Sequence, residues 1–262
     1  MTATRPATAP QPSAARPGFT LVELLAVIMI IAVLAALLTP AVMRARTAAR
    51  NAAIKAEIDM LHMAMMNYKN EYGSFPPCFA MGMPPSADPA VRHLMRLFPR
   101  MNAGNAQAQF KALSNLNTGT EAGGPITPEN ALCRWLYGYT DDPTLPVAPG
   151  QRKKLYDFDQ SRITTPNQQY HPAGKKGSPY VYIDSSQYLD PSKPGMAKVF
   201  NVQYSAHRQP DATGNFQAPS QPFLNPDTFQ ILCAGLDETF GTDDDLSNCW
   251  PGTRKEYLDS LK

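Results

Sequence analysis

From Leu21 to Leu38 every residue except Glu23 is apolar, and no proline or glycine interrupts the run. A helix needs about 20 such residues, rising ~1.5 Å each, to cross the hydrocarbon core of a bilayer. It also satisfies its own backbone N–H and C=O groups, as lipid demands. The run therefore predicts one membrane-spanning helix near the N-terminus. Glu23 is the exception that asks for an explanation, because an ionised carboxylate inside such a span costs about 2.5–3.5 kcal/mol on insertion scales and so marks a function. Alone in lipid, it wants a cationic partner.

Ahead of the run, residues 1–17 are rich in Ala, Pro and Thr and carry only Arg5 and Arg16 as charges. They cannot bury enough apolar surface to fold and read as a leader. The positive-inside bias keeps those arginines cytoplasmic and orients the rest outward. A net charge of +2 on 262 residues, with 18% charged and 26 prolines, suits an anchored helix followed by one modest extracytoplasmic domain. No long Lys/Arg block is present, so the electrostatic footprint of a nucleic-acid binder is missing.

The stretch Gly18-Phe19-Thr20-Leu21-Val22-Glu23 resembles the processing and methylation motif of type IV prepilins and of type II secretion pseudopilins. The resemblance implies cleavage after Gly18 by a membrane-embedded prepilin peptidase and N-methylation of the new terminus, Phe19. It also makes Glu23 the fifth mature residue and an assembly residue, neutralising the α-ammonium of a neighbouring subunit's Phe19. One departure is Pro17, which stands between Arg16 and the glycine where the family has the basic residue adjacent. A plain signal anchor, or a cleavable secretory signal, is the alternative on the residues alone. The latter would have a shorter apolar core followed closely by an A-x-A site.

Past Pro40 the composition stays helix-favouring, which predicts a kinked rather than a terminated helix. Ile54, Ile58, Leu61, Met65, Tyr68 and Tyr72 then recur at spacings of four and three, an amphipathic helix docking on a core. Gly73 and Pro76-Pro77 supply the stop. His62 and Met63, Met65 and Met66 on this helix are expected to pack rather than bind metal. Residues 73–150 read as an irregular insertion with short helices, two of them announced by Asp88-Pro89 and by Thr127-Pro128-Glu129. After residue 150 the pattern turns to strands, at 180–184, 199–204 and 229–233.

The expected fold class is therefore α+β: a long N-terminal helix on a small antiparallel sheet. Its expected division is leader 1–18, helix 19–72 with a membrane part 19–42, insertion 73–150, and sheet head 151–262 with an acidic loop at 234–250.

That loop holds five carboxylates, Asp237, Glu238, Asp243, Asp244 and Asp245, within nine residues. Packed together they repel, so the loop either stays solvated and open or folds around a hard cation. Ca²⁺ suits such an oxygen-rich donor set, and Gly235 and Gly241 permit turns that aim carbonyls inward. The EF-hand spacing is absent. Ala234-Gly235-Leu236-Asp237 and Phe240-Gly241-Thr242-Asp243-Asp244-Asp245-Leu246, with Asn248 and Trp250, are similar to the C-terminal calcium loop of type II secretion major pseudopilins. The resemblance implies side-chain ligands at Asp237, Asp244 and Asp245, backbone oxygen near Leu236, and Asp243 as a substitute. Cys249 is one residue extra in that pattern. Cys233 and Cys249 flank the loop and could staple its ends by a disulfide, buried free thiols being the alternative.

No phosphate-binding glycine loop, H-E-x-x-H or G-x-S-x-G is present, and no catalytic residue is assigned. The expectation is a non-enzymatic structural subunit, a pseudopilin held in the inner membrane with its head in the periplasm. Its expected partners are prepilin peptidase, copies of itself and other pseudopilins, the inner-membrane assembly platform and the lipid bilayer. The alternatives are a type IV pilin or minor pilin, whose C-terminal disulfide loop would replace the calcium loop, and a membrane-anchored calcium-dependent binding module.

Overall fold

The structure is a computed structural model that describes residues 20–79, 88–114, 125–147, 151–164, 167–174, 177–188, 206–216 and 220–262. It is α+β. Helix α1 runs unbroken over Leu21–Tyr72, 52 residues with Pro40 inside it. Thr39 donates its hydroxyl to the carbonyl of Ala35 at 2.7 Å, a back-bond within the turn that precedes the proline. By contact density the chain divides into two compact units, Met1–Ala48 and Ala49–Lys262. In the first, the described residues are helical from Leu21 on and all exposed.

In the second unit the predicted periodicity becomes a buried stripe. Ile54, Glu57, Ile58, Leu61, Ala64, Met65 and Tyr68 of α1 are buried, steps of three and four that keep one face turned inward. They meet a three-stranded antiparallel sheet of β3 (Val181–Asp184), β4 (Phe229–Cys233) and β5 (Leu246–Ser247), in the order β3-β4-β5. Every residue of these strands is buried, the polar Asp184, Gln230 and Ser247 included, so both faces of the sheet are covered. The contacts are specific: His62 lies 5.0 Å from the Phe229 ring and hydrogen-bonds Asn248, while Lys55 donates to the Ser247 carbonyl at 2.7 Å. A separate two-stranded ribbon pairs β1 (Ile163–Thr164) with β2 (Gln169–Tyr170). The strand expected at 199–204 lies outside the described residues.

The segment read as an irregular insertion supplies much of the core. Helix α2 (Pro89–Leu97) starts where Asp88 accepts the N–H groups of Ala90 and Val91, as its Asp-Pro signal predicts. It buries Ala90, Val91 and Leu94. Helix α3 (Ala103–Ser114), with Asn102 accepting the Asn105 N–H at 2.7 Å, has no strong start signal in the sequence and was not foreseen. Helix α4 (Ala131–Leu136) follows Thr127-Pro128-Glu129, but its cap is Asn130, which makes no side-chain capping bond to the helix. Trp135 of α4 is wholly buried and donates its indole N–H to the Pro77 carbonyl at 2.9 Å, tying the segment to the end of α1. Tyr68 completes the junction through hydrogen bonds to His93 at 2.9 Å and to Tyr139 at 2.6 Å. The chain ends in α5 (Arg254–Ser260), opened by a reciprocal capping box between Thr253 and Glu256.

Candidate functional site

Three places carry chemistry. The first is the start of α1. Gly18 and Phe19 lie outside the described residues, but Glu23 is placed. Its carboxylate accepts the N–H and the hydroxyl of Thr20, each at 2.9 Å, while the Thr20 hydroxyl accepts the Glu23 N–H at 3.2 Å. This is a capping box of the S/T-x-x-E kind, legible in Thr20-Leu21-Val22-Glu23 and an intrachain role for Glu23 beside the expected one in assembly. The side chain keeps lone pairs for such a partner. Around it the span is bare: Leu21 is 78% exposed and Leu37 72%, and the most apolar 18-residue window of α1 has none of its residues buried. Its mean hydropathy of 3.0 makes it long and apolar enough to cross a membrane.

The second place is the acidic loop, which the sheet turns into a connection between antiparallel neighbours: β4 enters at Cys233 and β5 leaves at Leu246, and these two residues are paired. The loop is not splayed open by its charges. Asp244 accepts the N–H groups of Leu236 at 2.6 Å and Asp237 at 3.1 Å on one oxygen, and the Thr242 hydroxyl at 2.7 Å on the other. Asp237 caps the Thr239 N–H at 2.7 Å, and Asp245 accepts the Gly241 N–H at 2.7 Å. Gly235 has φ +65°, and a Cβ there would fall 2.3 Å from the Asp244 carbonyl, so only glycine lets the two arms approach.

Exposure separates the carboxylates. Asp237 and Asp243 are exposed and Asp244 is intermediate, whereas Asp245 is only 2% exposed and its Oδ1 has no hydrogen-bond partner among the described residues. Burial pushes the Asp245 carboxyl up to about 6; Asp244 and Asp237 push the same way, against the Gly241 N–H and Arg254. Two carboxylates, Asp244 and Asp237, thus act on one buried, half-satisfied carboxyl group, that of Asp245. The side chains are not closed on one point, since no three His, Cys, Asp or Glu groups among the described residues form a metal-holding cluster. The stapling pair expected at the loop ends is not formed: all four cysteines are free. Register gives the reason. Leu232 faces Ser247, and the Asn248 N–H reaches the Ile231 carbonyl, so Cys249 falls about three residues, or roughly 10 Å, along the ladder from Cys233, beyond disulfide reach.

The third place has no signal in the sequence. Glu57, in the buried face of α1, accepts the Tyr170 hydroxyl at 2.7 Å, the Tyr180 hydroxyl at 2.6 Å and the Arg162 guanidinium at 2.5 Å. Arg162 also grips the His171 carbonyl through Nε and Nη2 and lies 4.5 Å over the Tyr170 ring. The pair lines a cleft of about 460 Å³ whose other walls include Arg50, Ile54, Met60 and Leu236. Both Glu57 oxygens are engaged by donors, so it serves as a structural anion.

No curated protein and no solved structure matches the chain. Residues 14–39 match the prokaryotic N-terminal methylation motif, a stretch that spans the Gly18–Phe19 bond, Glu23 and the exposed apolar turns of α1. The chain thus carries the N-terminal signal of type IV pilin-like proteins, the signal for prepilin peptidase processing and pilin-type assembly.

Proposed function

We propose that this chain is a pseudopilin, a structural subunit of a type II secretion pseudopilus, cut between Gly18 and Phe19, methylated at Phe19 and assembled through α1. The observation that carries the reading is the coincidence of the methylation motif with a helix whose apolar span is exposed throughout among the described residues. Such a surface needs lipid before assembly and like helices after it. The head, on this reading, stands in the periplasm above the inner membrane. Within the filament Glu23 pairs with the α-ammonium of a neighbouring Phe19.

Two features favour the secretion pseudopilin over a type IV pilin. Cys233 and Cys249 are free where a pilin would have a disulfide-closed C-terminal loop. The acidic loop offers oxygen donors that fit Ca²⁺: Asp237, Asp244 and Asp245, with Asp243 at the rim and Leu236 supplying backbone. Bound there, the ion would supply charge neutralisation to the buried Asp245.

Mass spectrometry of the membrane-resident protein tests the core of the proposal. In cells with an active prepilin peptidase the N-terminal peptide should begin at Phe19 and carry one methyl group. Recovery of peptides spanning Gly18–Phe19 from the mature product would overturn it.

A further inference from the structure

Arg254 reaches the Gly241–Asp245 turn of the acidic loop from outside it. Its backbone N–H donates to the Asp245 carbonyl at 2.8 Å, and its guanidinium Nη1 donates to the carbonyls of Gly241 and Thr242. The same guanidinium lies 5.0 Å over the Phe216 ring, which packs against Trp250. The next residue continues the clamp, the Lys255 N–H donating to the Asp243 carbonyl at 2.9 Å. Thr253 pairs with Leu246 across an isolated bridge and opens α5, so the backbone that presents Arg254 is fixed on both sides. Opposite stands Asp245, 2% exposed, with one oxygen unpartnered among the described residues.

We propose that Arg254 is the built-in counter-cation of the acidic loop. It holds the Gly241–Asp245 turn closed in the absence of metal, so that the head folds calcium-free and Ca²⁺ adds to a loop already formed. Five carboxylates in nine residues should otherwise open the loop by repulsion, yet the turn is closed with one guanidinium across its carbonyls. An arginine suits this position because Nη1 serves both carbonyls while its flat face stacks on an aromatic ring. The part that concerns calcium rests on the pseudopilin reading; the part that concerns folding without it does not. Because Arg254 braces the backbone of the turn that carries the carboxylates Ca²⁺ would hold, and its charge also acts on Asp245, the two effects overlap, and removing one makes the other matter more.

The test is the thermal melt of the full-length protein in detergent, first with chelator and then with millimolar CaCl₂, for wild type, Arg254→Ala, Arg254→Lys and the exposed control Arg92→Ala. In chelator, wild type and Arg92→Ala should melt together, and Arg254→Ala about 4 °C or more below them, with Arg254→Lys between. Calcium should raise Arg254→Ala more than wild type and narrow the gap. Equal melting of Arg254→Ala and Arg92→Ala in chelator would overturn the proposal. If Arg254→Ala does not fold in chelator, recovery on adding calcium supports it. Loss of both Arg254 variants in either condition would instead assign the residue to packing and overturn it. A wild type that takes up no calcium by titration calorimetry would refute the calcium reading alone, and the chelator comparison would still decide the role of Arg254.

Discussion

The Glu57–Arg162 pair makes the sharpest quantitative prediction. Side-chain exposures of 10% for Glu57 and 18% for Arg162 place the pair where removing either partner strands the other. Replacing Arg162 with Met keeps the volume and removes the cation, leaving a buried carboxylate held by two tyrosine hydroxyls. Stranding a buried charge costs about 3–5 kcal/mol, and the two remaining donors place this case near the low end. At about 2–4 °C per kcal/mol for a domain of this size, the melt should fall by about 6–12 °C.

Glu57→Met should cost as much for a different reason. It orphans the hydroxyls of Tyr170 and Tyr180, which are 2% and 0% exposed, at about 1–3 kcal/mol each, while Arg162 keeps its bonds to the His171 carbonyl. The double variant loses the ion pair once, so its total should fall short of the summed singles by about 2 kcal/mol. Urea unfolding of the detergent-solubilised protein, followed by tryptophan fluorescence from the buried Trp135 and Trp250, measures all four corners of the cycle. Additivity within about 0.5 kcal/mol, or a cost below about 1 kcal/mol for Arg162→Met, would refute the argument that the pair acts as a desolvated unit.

Two further predictions use the same logic. Glu23→Val keeps the span apolar, so insertion and processing should be unchanged, while sheared-filament yield should collapse; normal yield would remove Glu23 from assembly and leave it only its cap on Thr20. Asp184 is 5% exposed and burial raises its carboxyl to about 6, so the folded state holds its proton more tightly than the unfolded chain between about pH 4 and 6. Its contribution to stability therefore falls as pH rises through that window. Buried His93 and His207, pushed down to about 3 and about 4 by burial, act in the opposite sense, so the difference between Asp184→Asn and wild type is the quantity to follow. It should shift by about 2 kcal/mol in favour of the variant from pH 4 to pH 7, and a flat difference would show that Asp184 is not desolvated as its surroundings require.

What the sequence made legible was local. The period of α1, the runs that became β3 and β4, and the Asp88 cap are each written in consecutive residues. Capping boxes are equally local, and those at Thr20–Glu23 and Thr253–Glu256 follow the S/T-x-x-E pattern in consecutive residues. Arg5 and Arg16 precede the span and Arg44, Arg46 and Arg50 follow it, so charge count alone does not orient it. Other features were out of reach in principle. Glu57 meets its three partners across 105, 113 and 123 residues of chain, and no spacing rule joins them. Likewise β5 is two residues long and takes its identity wholly from β4. The packing of the insertion is out of reach for the same reason, since Tyr68 meets His93 and Tyr139 across 25 and 71 residues of chain.

The placement of Glu57 bears on how such a head holds its helix. An apolar stripe alone tolerates small rotations of a helix about its axis, because Ile, Leu and Met faces repack at little cost. A carboxylate that must meet two hydroxyls and a guanidinium does not. Rotating the 49–72 portion of α1 by one residue, about 100°, would carry Glu57 out of this constellation and strand Arg162, Tyr170 and Tyr180 together. The buried pair contributes little net stability compared with an apolar substitute, so its value lies in fixing the helix phase within the head. The cleft it lines has Leu236 on another wall, and Leu236 donates its N–H to Asp244, so the helix phase and the acidic loop are two ends of one packed arrangement. A rotation of that portion of the helix would therefore disturb the Leu236 wall of the cleft together with the Glu57 constellation.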